Sequence, residues 1–457
     1  MRQQPPPEPQ PLPMEVLQRL GAFLPAADIC SARLACRAWR DCLGAQVSSV
    51  LLPPALWQRP GRGQLAQLRR LAAAFPLLRA ATLLYERASP GLAPIAPQLL
   101  SLDLSDLCWP PPPSMAALAG ALSGLQRLRL HSSVFSRLTA EHVEAVAGMA
   151  RLRELSLGFR TVDGTGASPM ALDPLTRLSR LTFLDLEYTG LLELSNGVGF
   201  RRPQDLSRLS ALTALSVRHV PLPCLSGLAA LCGLRTLHLL QTAPVSAKQA
   251  GALARCTALG RLEVEPLPFE LLPSLSALTR LRSLSVHLHQ LHRGRLPAAA
   301  ADALLALEPL SSLASFALSG QIEVGSDHIA ALAAAWPGLR SLDLCCGLSG
   351  GTVGFGALSA LRRLRLSPFH WDAWSAEAPL LLHPAELPES LTCLEARDVW
   401  VAAPGPDAAR LGAAPRASDF SWVAGAPERG GGGWGPAAAA LRSRPAPLRA
   451  ACARCGW

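Results

Sequence analysis

The stretch "LRSLDLCCGLSGGTVGFGALSALRRLRL", residues 339–366, contains the pattern L-x-x-L-x-L twice. In each copy the last two leucines alternate with polar residues, as Leu342 and Leu344 do around Asp343. Alternation of apolar and polar residues is typical of a short strand that buries one face. The segment between the copies has room for only a turn or two. The stretch therefore predicts two short half-buried strands joined by a compact connection.

The same pattern recurs along most of the chain. The separation between successive copies from Leu78 onward runs from 21 to 32 residues. Longer copies contain helix-like segments such as "TAEHVEAVAGMARLREL", "SAKQAGALARCTALGRL" and "GSDHIAALAAAWPGLRSL", whereas short copies such as "LPCLSGLAALCGLRTL" do not. A fixed unit repeated in this way predicts a stacked array with one strand per unit. The clear copies begin at residues 99, 125, 152, 181, 212, 234, 259, 281, 313, 339, 361 and 391, and weaker ones at 47 and 78.

These copies resemble leucine-rich repeats over roughly residues 60–400. The resemblance implies an α/β solenoid, in which the strands form a curved parallel sheet backed by helices. The chain departs from that family after each strand, where an Asn or Cys usually bonds the neighbouring loops. Asn196 is the only Asn in the chain, so hydroxyl groups or water must satisfy those backbone groups.

The segment "LPMEVLQRLGAFLPAADICSARLACRAWR", residues 12–40, precedes the repeats and has a different pattern. Pro13 suits the first turn of a helix, and Pro25 ends that helix. Asp28 can cap a second helix. Three short helices in about 40 residues make a core too small to bury all their apolar residues. We therefore expect an exposed apolar face that binds a partner. On the first helix that face holds Val16, Leu17, Leu20 and Leu24.

The runs L-P-x-E-V-L, F-L-P-x-x-D-I and L-x-C-R-x-W-R in this segment resemble an F-box. Ala35 stands where that family more often has Val. The resemblance implies a small three-helix domain that binds the adaptor Skp1 and, through it, a cullin-type ubiquitin ligase. It implies an adaptor contact made by Leu12, Pro13, Val16, Leu17, Leu20, Leu24, Ile29 and Trp39.

Two functions therefore stay open. The F-box resemblance implies a substrate-recognition subunit of a Skp1–cullin–F-box ubiquitin ligase, whose repeats bind a target protein. The alternative is a structural leucine-rich repeat scaffold, cytoskeletal or axonemal, in which the opening helices only cap the first repeat.

The expected organisation follows from these patterns and from composition. Residues 1–10 are a disordered N-terminus, residues 11–52 the F-box, and residues 53–76 a basic linker with the first repeat helix. The solenoid spans 77–400. Residues 401–457 are rich in Ala, Gly and Pro, and we expect a disordered tail there.

The strand residues beside the last two leucines are expected on the concave face. Eight acids stand there against seven bases, so the face is near neutral, and we expect no nucleic acid partner. The acids are Asp103, Glu154, Asp185, Glu187, Glu263, Glu265, Asp343 and Glu395, and the bases are Arg127, Arg129, Arg218, Arg261, Arg363, Arg365 and Arg397.

Charges of alternating sign are expected on adjacent strands at the C-terminal end of the array. These charges either neutralise one another or bind a target protein, with Arg363 and Arg365 as anchors. The candidate target-binding residues are Asp343, Arg363, Arg365, Glu395 and Arg397.

The remaining signals point away from other classes of function. The amino-terminal sequence has no apolar core of a signal peptide, and no apolar run approaches the roughly 18 residues of a membrane span. We therefore expect a cytoplasmic protein, with nucleus and cytoskeleton or axoneme also open. His287, His289 and His292 lack an acid or Cys at ligand spacing, and the "CARC" of 452–455 is a lone pair of cysteines. We expect no metal, no cofactor and no enzymatic activity.

Overall fold

The computed structural model describes the repeat region and a few flanking residues. The predicted F-box lies outside the described residues, apart from its last six positions. The described residues are 47–52, 62–83, 92, 94–104, 112–131, 139–159, 170–188, 198–199, 203–220, 226–240, 244–288, 298–349, 354–367, 381–382, 387–396, 400–401 and 420–423.

The chain divides into two units, Met1–Pro223 and Cys224–Trp457. In the first unit β1, β2, β3, β4, β5, β7 and β9 pair in that order, each parallel to the next, while β6 and β8 pair separately. The strands are β1 (Ser49–Leu52), β2 (Ala80–Leu83), β3 (Ser101–Asp103), β4 (Arg127–His131), β5 (Glu154–Phe159), β6 (Met170–Ala171), β7 (Phe183–Tyr188), β8 (Val198–Gly199) and β9 (Ala214–Arg218). The connections contain α1 (Arg62–Ala74), α2 (Pro112–Ala121) and α3 (Ala140–Ala147), and short 3-10 helices at Ala96–Gln98, Asp173–Arg177 and Pro203–Arg208.

The second unit repeats this architecture. Its strands β10 to β15 pair in sequence order and β17 follows β15, all in parallel, while β16 and β18 pair separately. The strands are β10 (Thr236–Leu240), β11 (Arg261–Leu267), β12 (Ser283–Leu288), β13 (Ser315–Gly325), β14 (Ser341–Ser349), β15 (Arg363–Ser367), β16 (Leu381–Leu382), β17 (Cys393–Ala396), β18 (Trp400–Val401) and β19 (Phe420–Val423). The connections contain α4 (Ala247–Leu253), α5 (Ala298–Leu305) and α6 (Ser326–Ala335), and 3-10 helices at Ser226–Ala230, Phe269–Ala277 and Phe355–Ala357.

The repeated leucines form the core of each unit. On β14 and β15 the leucines Leu342, Leu344, Leu364 and Leu366 are at most 1% exposed, and the polar residues between them remain accessible. Burying each such leucine contributes about 1.5–3 kcal/mol relative to leaving it in water. The predicted leucine-rich repeat fold, with parallel strands and helical connections, is confirmed in each unit.

The helix-like segments quoted from the long copies form helices and the quoted short copy does not, but in the long connections before β7 and β9 the only helices among the described residues are 3-10 helices. The quoted long copies contain α3, α4 and α6, and the short copy before β10 contains only the 3-10 helix Ser226–Ala230. Helix α4 begins with a capping box, in which Gln249 N donates to Ser246 Oγ at 3.3 Å and Ser246 N donates to Gln249 Oε1 at 2.7 Å. These bonds satisfy backbone donors that have no partner inside the helix.

Threonine hydroxyl groups form hydrogen bonds between successive repeats, a role that the Asn or Cys after each strand has in leucine-rich repeats. At the start of β7, Thr182 Oγ1 donates to the carbonyl of Arg153 at 3.0 Å. Before β17, Thr392 Oγ1 donates to the carbonyl of Arg362 at 2.9 Å. These bonds link successive repeats, and they lie before the strand rather than after it.

One aromatic pair anchors α6 against the sheet of the second unit. The ring of Trp336, which follows α6, packs edge-on against Phe316 of β13 with centroids 5.0 Å apart. Its indole Nε1 donates to the carbonyl of Leu307 at 3.3 Å, so the polar end of the buried ring is satisfied. The pair fixes the connection that leads into β14.

Part of the predicted tail joins the sheet of the second unit. Strand β19, "FSWV", pairs antiparallel with β17, so that Leu394 lies opposite Trp422. Strand β17 would otherwise present a row of unpaired backbone groups, and aromatic residues favour strands. Most of the tail, residues 402–419 and 424–457, lies outside the described residues.

Candidate functional site

The structure brings three of the five predicted target-binding residues into one row. Asp343 of β14 is paired in register with Arg365 of β15, which is paired in turn with Glu395 of β17. Arg365 Nη1 lies 3.5 Å from Asp343 Oδ2, and Arg365 Nε lies 3.6 Å from Glu395 Oε2. The guanidinium thus bridges two carboxylates on neighbouring strands.

The electrostatics of the row depend mainly on burial. Burial raises the pKa of Asp343 above its ordinary value; the guanidinium of Arg365 opposes that rise, and the Glu395 carboxylate adds to it. Side chains in the row are between 35% and 46% exposed, so each ion pair contributes at most about 1 kcal/mol. The row is therefore an accessible polar surface rather than a source of stability.

Arg363 lies on β15 between Ser341 and Cys393 and is exposed. Within the described part of the chain no carboxylate pairs with it. Arg397 lies outside the described residues, as do the eight predicted adaptor-contact residues of the F-box. The binding roles of all these residues stay predictions.

A second polar cluster in the first unit was not predicted as a unit. The hydroxyl of Ser156 on β5 donates to Asp185 Oδ2 on β7 at 2.8 Å, and His131 Nε2 on β4 lies 2.6 Å from Ser156 Oγ. Arg218 Nη2 on β9 donates to Asp185 Oδ2 at 3.1 Å and lies 3.1 Å from Glu187 Oε2. These five residues form the first-unit polar cluster.

The hydrogen bonds fix the proton positions in this cluster. A hydroxyl has one proton, and Ser156 donates it to Asp185, so the imidazole of His131 donates from Nε2 to the serine oxygen. Burial lowers the pKa of His131, and the nearby carboxylates of Asp185 and Glu187 oppose that shift. An activated nucleophile would donate its proton to the imidazole instead. In the observed arrangement these hydrogen bonds link β4, β5 and β7.

A glycine makes room for the histidine. A Cβ at Gly158 would lie 2.7 Å from His131 Nδ1 and 3.0 Å from its Cγ. Gly158 is paired in register with His131 across β4 and β5. A small residue opposite His131 is the sequence signal that, once the register is known, identifies the cluster.

The predicted exclusions concern metals and membranes. His287 Nδ1 lies 2.6 Å from Ser319 Oγ, while His289 and His292 lie outside the described residues. Among the residues that the structure describes, no group of three His, Cys, Asp or Glu side chains is placed to hold a metal ion. The helices described here are all too short or too polar to span a membrane.

The observed architecture, short parallel strands with a buried leucine core and helical or irregular connections, is the one that the resemblance to leucine-rich repeats implies. Two solved structures with similar folds are internalins of Listeria monocytogenes. Internalin InlF has 14% sequence identity over 78% of this chain and 97% of its own, with a TM-score of 0.45. Internalin C2 has 21% identity over 56% of this chain and 93% of its own, with a TM-score of 0.33. No family model and no curated protein matches the chain.

Proposed function

We propose that the chain is the substrate-recognition subunit of a Skp1–cullin–F-box ubiquitin ligase. The observation that carries the proposal is the order and spacing of the F-box residues in 11–52. That segment ends in β1, whose residues 49–52 pair with the next repeat strand. An adaptor-binding module directly followed by a repeat array is the arrangement that such a receptor needs.

On this proposal the two parts have separate tasks. The F-box binds Skp1, and the repeats bind a target protein through Asp343, Arg363, Arg365, Glu395 and Arg397. Holding both partners on one chain raises the local concentration of target lysines near the ubiquitin carrier. The chain itself performs no chemistry and acts in the cytoplasm.

Direct binding of purified full chain to Skp1, measured by calorimetry, tests the proposal. A dissociation constant in the micromolar range or tighter supports it. Wild-type protein that does not bind Skp1 at micromolar concentration overturns it, and the scaffold function then accounts for the repeats.

A further inference from the structure

A line of arginines runs along the start of the strands in the second unit. Four of these arginines occupy the second position of L-x-x-L-x-L, just before the strand residues assigned to the sheet face, and the other two occupy the third position, which is the first of those residues. We call this line the basic ridge, and it consists of Arg235, Arg261, Arg282, Arg340, Arg362 and Arg363, all of which are exposed.

Backbone hydrogen bonds fix the order of the basic ridge. Gly260 N donates to the carbonyl of Arg235, and Arg282 N donates to that of Gly260, both at 2.8 Å. Beyond β13, Arg362 N donates to the carbonyl of Arg340, also at 2.8 Å. Because neighbouring strands lie about 4.8 Å apart, the ridge extends about 24 Å from β10 to β15.

The positive charge of the basic ridge is not neutralised within the described residues. None of the six arginines takes part in an ion pair there. The nearest row of strand acids already has partners, since Glu263 lies 2.6 Å from His238 and Arg365 bridges Asp343 and Glu395. The ridge therefore presents several unneutralised guanidinium groups in a line.

We propose that the basic ridge binds an extended, acidic segment of a partner protein. Guanidinium groups in a line match carboxylates along an extended chain. At about 3.3 Å per residue, seven or eight residues span the ridge. Ser283, Ser315 and Ser341, on β12, β13 and β14, supply hydroxyl groups alongside for hydrogen bonds to the partner.

The surroundings of the ridge favour a polypeptide over nucleic acid. Glu263, Asp343 and Glu395 share the fifth position of the pattern. Because Asp343 and Glu395 share the single guanidinium of Arg365, that row keeps a net negative charge, which disfavours a wide polyanion such as a duplex. Single-stranded nucleic acid is usually held by aromatic side chains on which bases stack. The second and third positions of the described strands β10 to β17 contain no aromatic residue.

The inference deepens the proposed function, because on that proposal the acidic segment belongs to the ligase target. It can nevertheless fail separately, since binding of an acidic peptide requires no adaptor. Skp1 binding measured on the same protein preparations reports on the F-box alone.

The test uses the full chain and a fluorescein-labelled poly-glutamate peptide of about eight residues, with binding followed by fluorescence anisotropy at low salt. The ridge variant is Arg282→Gln, Arg340→Gln and Arg362→Gln together. The matched control is Arg69→Gln, Arg70→Gln and Arg255→Gln, which removes the same charge at exposed positions on or just after helices. Poly-glutamine and oligothymidylate of equal length serve as further probes, and circular dichroism checks that each variant folds.

We expect wild type and control to bind poly-glutamate alike, with poly-glutamine unbound. The ridge variant should bind about tenfold more weakly, and added salt should reduce the difference. The inference is overturned if wild type does not bind the peptide, if both variants weaken equally, or if the ridge variant is unaffected. It is also overturned if oligothymidylate binds at least as tightly as the peptide through the same arginines.

Discussion

The hydroxyl of Ser156 donates a hydrogen bond to Oδ2 of Asp185 at 2.8 Å, although the two residues are 29 positions apart in the chain. They meet because β5 and β7 pair in a register that sets one beside the other. Both are nearly buried, at 5% and 6% exposure, and Arg218 contacts the same carboxylate. The repeats that contribute β4, β5, β7 and β9 are thus joined by a partly buried charged cluster as well as by leucines.

Replacing Asp185 with Ala should lower the free energy of unfolding by about 2–3 kcal/mol, because Ser156 and Arg218 would lose their shared acceptor. Urea denaturation measures the change. The control is Glu154→Ala, which breaks the exposed ion pair with Arg127 and should cost less than about 1 kcal/mol. Equal losses in the two variants would contradict the importance of the buried cluster.

Replacing Gly158 with Ala should destabilise the protein by about 1–3 kcal/mol, because the new methyl group would overlap the imidazole of His131. Gly251, inside α4, has no atom within 4 Å of a built Cβ, so Gly251→Ala should stabilise the protein by up to about 1 kcal/mol. Thermal unfolding of the Gly158→Ala and Gly251→Ala proteins measures the two changes in stability. A Gly158→Ala protein as stable as wild type would show that the histidine lies elsewhere.

Acidification should destabilise the wild type through His131. Its pKa in the folded protein is below the ordinary value of 6.5, so the unfolded chain binds the proton more readily. The neutral imidazole contributes fully to the free energy of unfolding above pH 6.5. This contribution is lost as the pH falls from 6.5 through the lower pKa of the folded protein.

The measurement is denaturant unfolding of wild type and of His131→Gln between about pH 8 and pH 5. The stability advantage of wild type over the variant should shrink as the pH falls. Asp185, Glu187, Arg129 and Arg218 act on the imidazole in both directions. A difference that does not change with pH would mean that the histidine is not buried as described.

Changing Leu17 and Leu20 to Asp together should abolish Skp1 binding, because two unpaired carboxylates in an apolar interface cost several kcal/mol, and 4 kcal/mol is about a thousandfold in affinity. Calorimetry with Skp1 measures the loss. The melting temperature should stay near that of wild type, because stability in a repeat array is set mainly between neighbouring repeats.

The matched control for this variant is Gln18→Asp with Ala22→Asp, on the opposite side of the predicted helix. It adds the same charge and should leave adaptor binding intact. If the opening helices are only a cap, the Leu17 and Leu20 variant lowers the melting temperature and there is no adaptor binding to lose.

The leucine spacing was enough to predict the strands of the repeats and which of their residues are buried, but not β6, β8, β16, β18 and β19, which lie outside the pattern. The strands predicted around Leu102, Leu128, Leu155 and Leu184 pair in parallel in the first unit, and those around Leu237 and Leu342 belong to parallel pairs in the second. Alternation of apolar and polar residues is local, and each copy carries it in full.

The candidate sites could be predicted only in part. The row of Asp343, Arg365 and Glu395 follows from counting positions in each copy, since these residues share one repeat position. The basic ridge was not predicted as a line because four of its six arginines occupy the second position, which precedes the residues assigned to the sheet face; only Arg261 and Arg363, at the third position, were counted on that face. Only the backbone bonds from Arg362 to Arg340 and from Arg282 to Gly260 show that the second position also forms a line.

The sequence by itself determined the repeat, its parallel strands and its leucine core, because hydrophobic burial acts through a period that each copy contains. The tertiary structure alone decided which charges meet. His131, Ser156, Asp185 and Arg218 come together, and Phe420–Val423 pairs with β17, because strand register and free strand edges bring distant residues together. Contacts of that kind depend on the length and path of each connection, and no local pattern encodes them.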